Sequence, residues 1–145
     1  MRIEKMTAEH LDGAARLEQE CFSHPWSRDS LKSELENPKS VFLAATDDNK
    51  VVGYVGMSVV IDEGYIFNVA VTESYRRKGI GSALIRELVT YGKKHNLCFI
   101  TLEVRQSNSA AISLYGNFGF IKAGERKNYY SAPAENAVLM TKYFT

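Results

Sequence analysis

The chain has 145 residues, of which 45% are apolar and 24% charged, enough for one ordinary domain with a two-layer core and too few for a second, so residues 1–145 are expected to form a single domain. A net charge of +1 gives no basic face of the kind that nucleic acid demands, and any partner has to be argued from a site. The longest nearly apolar run, Val51 to Ile61, falls well short of the roughly 20 residues that cross a bilayer, and the opening MRIEKMTAEH has no apolar signal core. A cytoplasmic protein with no membrane partner is the expectation.

Arg2 to Met6 reads as a short edge strand, after which Thr7 offers an N-cap hydroxyl to a helix with Leu11, Ala14, Leu17 and Cys21 on one face. Pro25 interrupts it, because a proline pushes the preceding residue out of helical geometry. Ser27 is the next N-cap, for a short helix through Leu31 and Leu35 that ends at Asn37-Pro38. The Pro25-Trp26 corner between these helices is either a packing anchor or the wall of a substrate groove. Val41 to Thr46 and Val51 to Ile61 are strands joined by the polar turn Asp47 to Lys50, and Gly53 and Gly56 in the second suggest twist or a bulge.

Asp62-Glu63-Gly64 turns the chain into a strand from Ile66 to Val71, rich in β-branched residues and covered on both faces. A basic loop, Arg76-Arg77-Lys78-Gly79-Ile80-Gly81-Ser82, then opens a helix with apolar groups at Ile80, Leu84, Leu88 and Tyr91 that runs to about His95. Glycines at a helix start let a ligand approach main-chain N–H groups at the positive end of the dipole, which suits phosphate. The plainer readings are a tight strand-to-helix turn and a solvated charge run. No Lys-Ser/Thr follows the second glycine and no third glycine lies three residues on, which disfavours a P-loop and a dinucleotide fingerprint.

A strand from Cys98 to Val104, a helix from about Asn108 to Phe118, and strands near Phe120 to Arg126 and Ala137 to Tyr143 complete the chain. The order β, α, α, β, β, β, α, β, α, β, β predicts an α/β mixed sheet with helices on both faces. Cys21 and Cys98 form no Cys-x-x-Cys pair, so they are expected to be small core residues, and no metal site is suggested.

Arg76-x-x-Gly79-x-Gly81, following Asn68-Val69-Ala70-Val71, resembles the coenzyme A diphosphate loop of the Gcn5-related N-acetyltransferase (GNAT) superfamily, and the element order resembles that family along essentially the full length. The resemblance implies a mostly antiparallel sheet of about seven strands whose central strands splay apart. It implies acetyl-CoA as co-substrate, held by Arg76, Arg77, Lys78, Gly79, Ile80, Gly81 and Ser82, with Val69, Ala70 and Val71 on the central strand beside it. The oxyanion of the reaction would rest on a main-chain N–H freed by a bulge around Asn68 to Val71.

Two side chains are candidates for proton transfer. Glu103 sits near the end of its strand, where it is either a partly buried base or a salt-bridged strand-end acid; Leu102-Glu103-Val104-Arg105 resembles the segment that carries the general base of RimI-type alanine N-acetyltransferases. Tyr115 is a core tyrosine by its spacing from Ala111 and Phe118. Ser107-Asn108-x-Ala110-Ala111-x-x-Leu114-Tyr115-x-x-x-Gly119-Phe120 resembles the superfamily's second signature, which implies that Tyr115 protonates the leaving thiolate and Asn108 contacts the pantetheine arm. Asn108 is equally suited to be the helix N-cap. Gly116 replaces the family's usual acidic residue, and looser packing is expected there.

Arg126-Lys127-Asn128-Tyr129-Tyr130 and Glu135-Asn136-Ala137-Val138-Leu139-Met140 resemble segments of N-terminal protein acetyltransferases, and the Pro25-Trp26 corner is similar to that of the RimI type. Trp26, Tyr129 and Tyr130 are therefore expected to bind the acceptor, a protein N-terminus, with a ribosomal protein beginning in alanine as the implied partner. The alternatives are a small-amine acetyltransferase of the same fold, a CoA-binding module without turnover, and a nucleotide site, for which only Glu73 could supply a metal-binding acid nearby.

Overall fold

The computed structural model describes residues 1–144. Seven strands and four helices follow in the expected order: β1 (Arg2–Lys5), α1 (Leu11–Cys21), α2 (Arg28–Glu36), β2 (Ser40–Asp47), β3 (Lys50–Val60), β4 (Glu63–Val71), α3 (Ile80–Lys94), β5 (Phe99–Arg105), α4 (Ser109–Asn117), β6 (Ile121–Tyr130) and β7 (Glu135–Tyr143). The strand order is β1-β2-β3-β4-β5-β7-β6, with β4 and β5 parallel and the other described ladders antiparallel. This is the mixed, mostly antiparallel sheet that the sequence implies. By contact density the chain divides into two compact units, Met1–Val59 with Phe67–Leu84 and Val60–Ile66 with Ile85–Thr145.

In the first unit, β2 and β3 form a hairpin closed by Asp48 and Asn49, both at positive φ, 52° and 63°. Asp and Asn tolerate that region, and two such residues give the turn whose twist matches a strand pair. A bulge between Ala45 and Thr46 lies opposite Gly53, as the glycine suggested. Leu11, Ala14 and Leu17 of α1 and Leu31 of α2 are almost wholly buried with Met6, Phe42, Ala44, Val51, Tyr54 and Ala70. Each large apolar side chain so covered contributes about 1.5–3 kcal/mol. A side chain on Gly56 would run into the Phe42 ring, which explains a glycine in mid-strand. Thr7 starts a short 3-10 turn rather than α1 itself, and there His10 Nδ1 accepts the Thr7 N–H at 2.9 Å.

In the second unit, the parallel ladder of β4 on β5 joins Glu63, Gly64 and Tyr65 to Phe99, Ile100 and Thr101. Among the described residues it has only these three rungs, although β4 continues to Val71 and β5 to Arg105. Glu63 and Gly64 thus belong to the strand and not to the turn expected there; the chain reverses at Ile61, whose φ is 58°. β5 pairs with β7 along its whole length, and β7 with β6. β6 runs on to Tyr130, so Tyr129 and Tyr130 are strand residues and not loop residues. Cys98 is exposed and donates to Asp62 Oδ2 at 2.8 Å, contrary to the expectation of a core thiol; Cys21 is half-buried. Gly116 has open space where a Cβ would stand, so there is no packing around it to loosen.

Candidate active site

The basic loop belongs to the first unit. Its base is tied down from both ends: Glu20 of α1 accepts from Thr72 Oγ1 at 2.9 Å and from the Glu73 N–H at 2.7 Å, and the Tyr75 hydroxyl donates to Asp47 at 2.8 Å. The Glu73 N–H, then Thr72, hold the Glu20 carboxyl below its ordinary range. Arg76 Nε donates to the Val71 carbonyl at 3.0 Å, and Lys78 lies 4.9 Å above the Tyr75 ring; Arg77 and Lys78 remain exposed. Gly79 has φ +81° and no heavy atom within 4 Å of a would-be Cβ. The first helical bond of α3 runs from Ala83 N to Gly79 O at 3.0 Å. The N–H groups of Ile80, Gly81 and Ser82, at the start of the helix, precede any intrahelical partner and are available to an anion.

β4 is irregular just upstream of Val69, Ala70 and Val71. Successive side chains of a strand point to opposite faces. Yet Phe67 stacks on Phe42 and meets Trp26 at a tilt, with centroids 6.1 and 5.4 Å away, while Asn68 donates to Glu18, which also accepts from Tyr54 beside the same rings. Two neighbours on one side depart from strand alternation, the departure that a β-bulge produces. The Pro25-Trp26 corner lines a groove of about 600 Å³ with Ser27, Ser30, Ser33 and Glu34.

The second unit gathers the titratable groups. Glu103, 26% exposed, is ion-paired with Arg126 at 3.1 Å, and burial, then the Glu103 charge, push the nearby Tyr129 hydroxyl up. The salt-bridged alternative is therefore part of its description. Arg126 sits two strands away in the order β5-β7-β6, which is why the pairing is invisible in the linear sequence. Tyr130 lies under the Arg105 guanidinium at 4.4 Å, and burial, then Tyr129, push its hydroxyl up to about 12. Arg105 also donates to the carbonyls of Ser131 and Pro133 and pairs with Glu135, which accepts the Ser107 N–H at 2.5 Å. The β6–β7 turn and the start of α4 are thereby fastened to the end of β5.

Tyr115 is 8% exposed, and burial, with Tyr130 adding, pushes its phenol well above the usual tyrosine range. It keeps its proton at any physiological pH, as a proton donor must. A Schellman motif ends α4 on this residue: Phe120 N–H donates to the Tyr115 carbonyl at 3.1 Å and Gly119 N–H to the Gly116 carbonyl at 3.0 Å, with Gly119 at φ +88°. The accompanying apolar contact is the Tyr115 ring on Phe120, 5.9 Å between centroids. Gly119-Phe120 in the signature thus sets the ring of Tyr115. Asn108 is the N-cap of α4, its Oδ1 accepting the Ala111 N–H at 3.1 Å.

Glu4, Glu9 and His10 also cluster, but His10 accepts from Thr7 at Nδ1 and faces Glu4 at 3.3 Å through Nε2, so neither nitrogen is spare for a metal. Sequence reasoning passed over Glu18, which is wholly buried. The signal was present: with Leu11, Ala14 and Cys21 it completes a 3-4-3 spacing on the apolar stripe of α1, where an acid has no reason to stand unless it is hydrogen-bonded.

The first unit thus offers open main-chain donors at a helix start, and the second a buried phenol and a partly exposed carboxylate. The model of the acetyltransferase (GNAT) family matches residues 11–120, and the chain belongs to that family of N-acetyltransferases. It is 37% identical over 139 residues to a Bacillus subtilis (strain 168) protein proposed to be a [ribosomal protein bS18]-alanine N-acetyltransferase, covering 95% of this chain and 92% of that one. It is 34% identical over 140 residues to the [ribosomal protein bS18]-alanine N-acetyltransferase of Escherichia coli (strain K12), covering 95% and 94%. The crystal structure of the ribosomal-protein-S18-alanine N-acetyltransferase from Escherichia coli superposes with a TM-score of 0.91 at 33% identity, over 99% of this chain and 94% of that one. The resemblance to RimI-type enzymes is borne out over nearly the whole length. Among the described residues no helix is long and apolar enough to cross a membrane.

Proposed function

We propose that residues 1–145 act as one catalytic domain that transfers the acetyl group of acetyl-CoA to the α-amine of a protein N-terminus, with a ribosomal protein beginning in alanine as the acceptor, in the cytoplasm. The observation that carries this reading is the likeness to bS18-alanine N-acetyltransferases over 95% of the chain. The diphosphate of acetyl-CoA is held by the Arg76 to Ser82 loop, with the main chain of Val69, Ala70 and Val71 and the Asn108 side chain along the pantetheine arm. Because the Asn108 oxygen already caps α4, its contact would come from its amide nitrogen.

A free α-ammonium group has a pKa near 8, so only a modest base is needed near neutrality. Glu103 takes the proton from the ammonium, directly or through one water, and the neutral nitrogen attacks the thioester carbonyl carbon. The oxyanion rests on a main-chain N–H of the bulged β4. As the C–S bond breaks, the thiolate takes the proton of the Tyr115 phenol; the extra proton on the new amide nitrogen is lost by way of solvent and restores the phenol, while Glu103 releases its proton to bulk water. Trp26, Tyr129 and Tyr130 flank the acceptor. Arg126 on Glu103 fits this scheme as the cation with which an arriving ammonium would share the carboxylate.

A peptide with the bS18 N-terminal sequence, the same peptide with its α-amine blocked, and a panel of polyamines, amino acids and aminoglycosides would be compared by CoA release. Turnover of the free-amine alanine peptide alone is the expected result. Activity confined to the small amines would transfer the chain to a different acceptor class, and no CoA release with any amine would leave a binding module.

A further inference from the structure

Glu18 takes no part in the chemistry above, yet it is the most thoroughly enclosed acid among the described residues, 0% exposed. Oε1 accepts the Trp26 main-chain N–H at 2.8 Å; Oε2 accepts Asn68 Nδ2 at 2.9 Å and the Tyr54 hydroxyl. A buried carboxylate is costly without such donors and rigid with them. Burial, then the Glu18 charge, push the Tyr54 hydroxyl far up, so it remains a donor. Every one of these groups lies in the first unit.

Two of the three donors come from the parts of this unit that matter most to the proposed reaction; the third, Tyr54, is a core residue of β3. Trp26 is the corner between α1 and α2 that lines the groove. Asn68 is one of the two neighbours whose side chains share a face and so mark the bulge of β4. An asparagine amide has a donor and an acceptor end, and a carboxylate can receive only the donor. Glu18 thereby fixes which way Asn68 turns and keeps it on the face where a regular strand would not put it.

We infer that Glu18 is a positioning residue that locks the acceptor corner at Trp26 and the bulge at Asn68 to one carboxylate, so that acceptor binding and the oxyanion amide are set by the same group. This rests on the proposed N-acetyltransferase reading. Replacement by glutamine keeps the shape and substitutes two N–H donors for an acceptor oxygen, facing at least one donor with another.

The test is steady-state kinetics of Glu18→Gln with the alanine peptide, together with acetyl-CoA binding and the emission of Trp26, the only tryptophan in the chain. We expect the peptide KM to rise and kcat to fall, each about tenfold, acetyl-CoA affinity to stay within about twofold, and Trp26 emission to move to longer wavelength. Asn68→Leu separates the two ties: kcat falls about tenfold while the peptide KM and the Trp26 emission stay near the parent values. General loosening of the fold would give no such split. Parent-like kcat and KM in Glu18→Gln, or a parallel loss of acetyl-CoA affinity, overturns the inference. Should Glu18→Gln fail to fold, Asn68→Leu decides alone, and an unchanged kcat refutes it. If the parent enzyme acetylates only small amines, the acceptor proposal fails separately, and Glu18 is judged by kcat with that amine and by Trp26 emission.

Discussion

The two compact units solve different physical problems. In the first, the Arg76 to Ser82 loop offers main-chain N–H groups and a glycine at positive φ, and Glu18 is held by neutral donors, none of which changes charge near neutral pH. In the second, Glu103, Tyr115, Tyr129, Tyr130, Arg105 and Arg126 carry charge or an ionisable proton, and each is defined by its neighbours. Side chains in the loop are mostly exposed, and the proposed role of the loop rests on its backbone shape. The phenol and the carboxylate depend on identity at single atoms.

The comparison is broken hardest on the chemical side. Tyr115→Phe and Glu103→Gln should each lower kcat by about 10²–10⁴-fold, the range for removing a positioned proton donor or acceptor. Acetyl-CoA affinity, read by calorimetry, should remain near that of the parent. Parent-like turnover in either variant would remove that residue's role. On the loop side, Gly79→Ala meets no steric obstruction but must hold φ near +81°, which costs a residue with a Cβ roughly 1–2 kcal/mol. Acetyl-CoA affinity should fall by about tenfold while kcat at saturation changes little. The opposite pattern, lost kcat with intact affinity, would show that the loop acts in the chemical step. The smallest effect sharpens the contrast: Gly116→Ala, in α4 with open space around it, should raise stability by about 0.5–1 kcal/mol in thermal melts and leave kinetics unchanged.

The helices, the β2–β3 hairpin and the loop could be read from sequence because each is encoded locally, by 3.6-residue spacing, turn residues and paired glycines. β4 was read three residues short, since Glu63 and Gly64 look like a turn until the partner that pairs with them, β5, is known. The same holds for Arg126 on Glu103, which needs the strand order β5-β7-β6, and for Arg105 under Tyr130. Cys98 was misplaced because a cysteine next to an apolar strand is normally buried, whereas here Asp62 holds its thiol outside. Glu18 was hidden for the opposite reason: helical periodicity marks apolar positions, and an acid among them reads as noise unless its partners on other elements are known.

The C-terminal end of α4 has a practical corollary for anyone charting which substitutions this enzyme tolerates. Gly119 has no side chain to meet a substrate, yet its left-handed backbone closes the motif that seats Tyr115 against Phe120. A screen scored only on turnover will rank it among the reactive residues, and a parallel readout of protein abundance is what would tell a lost scaffold from a lost reagent.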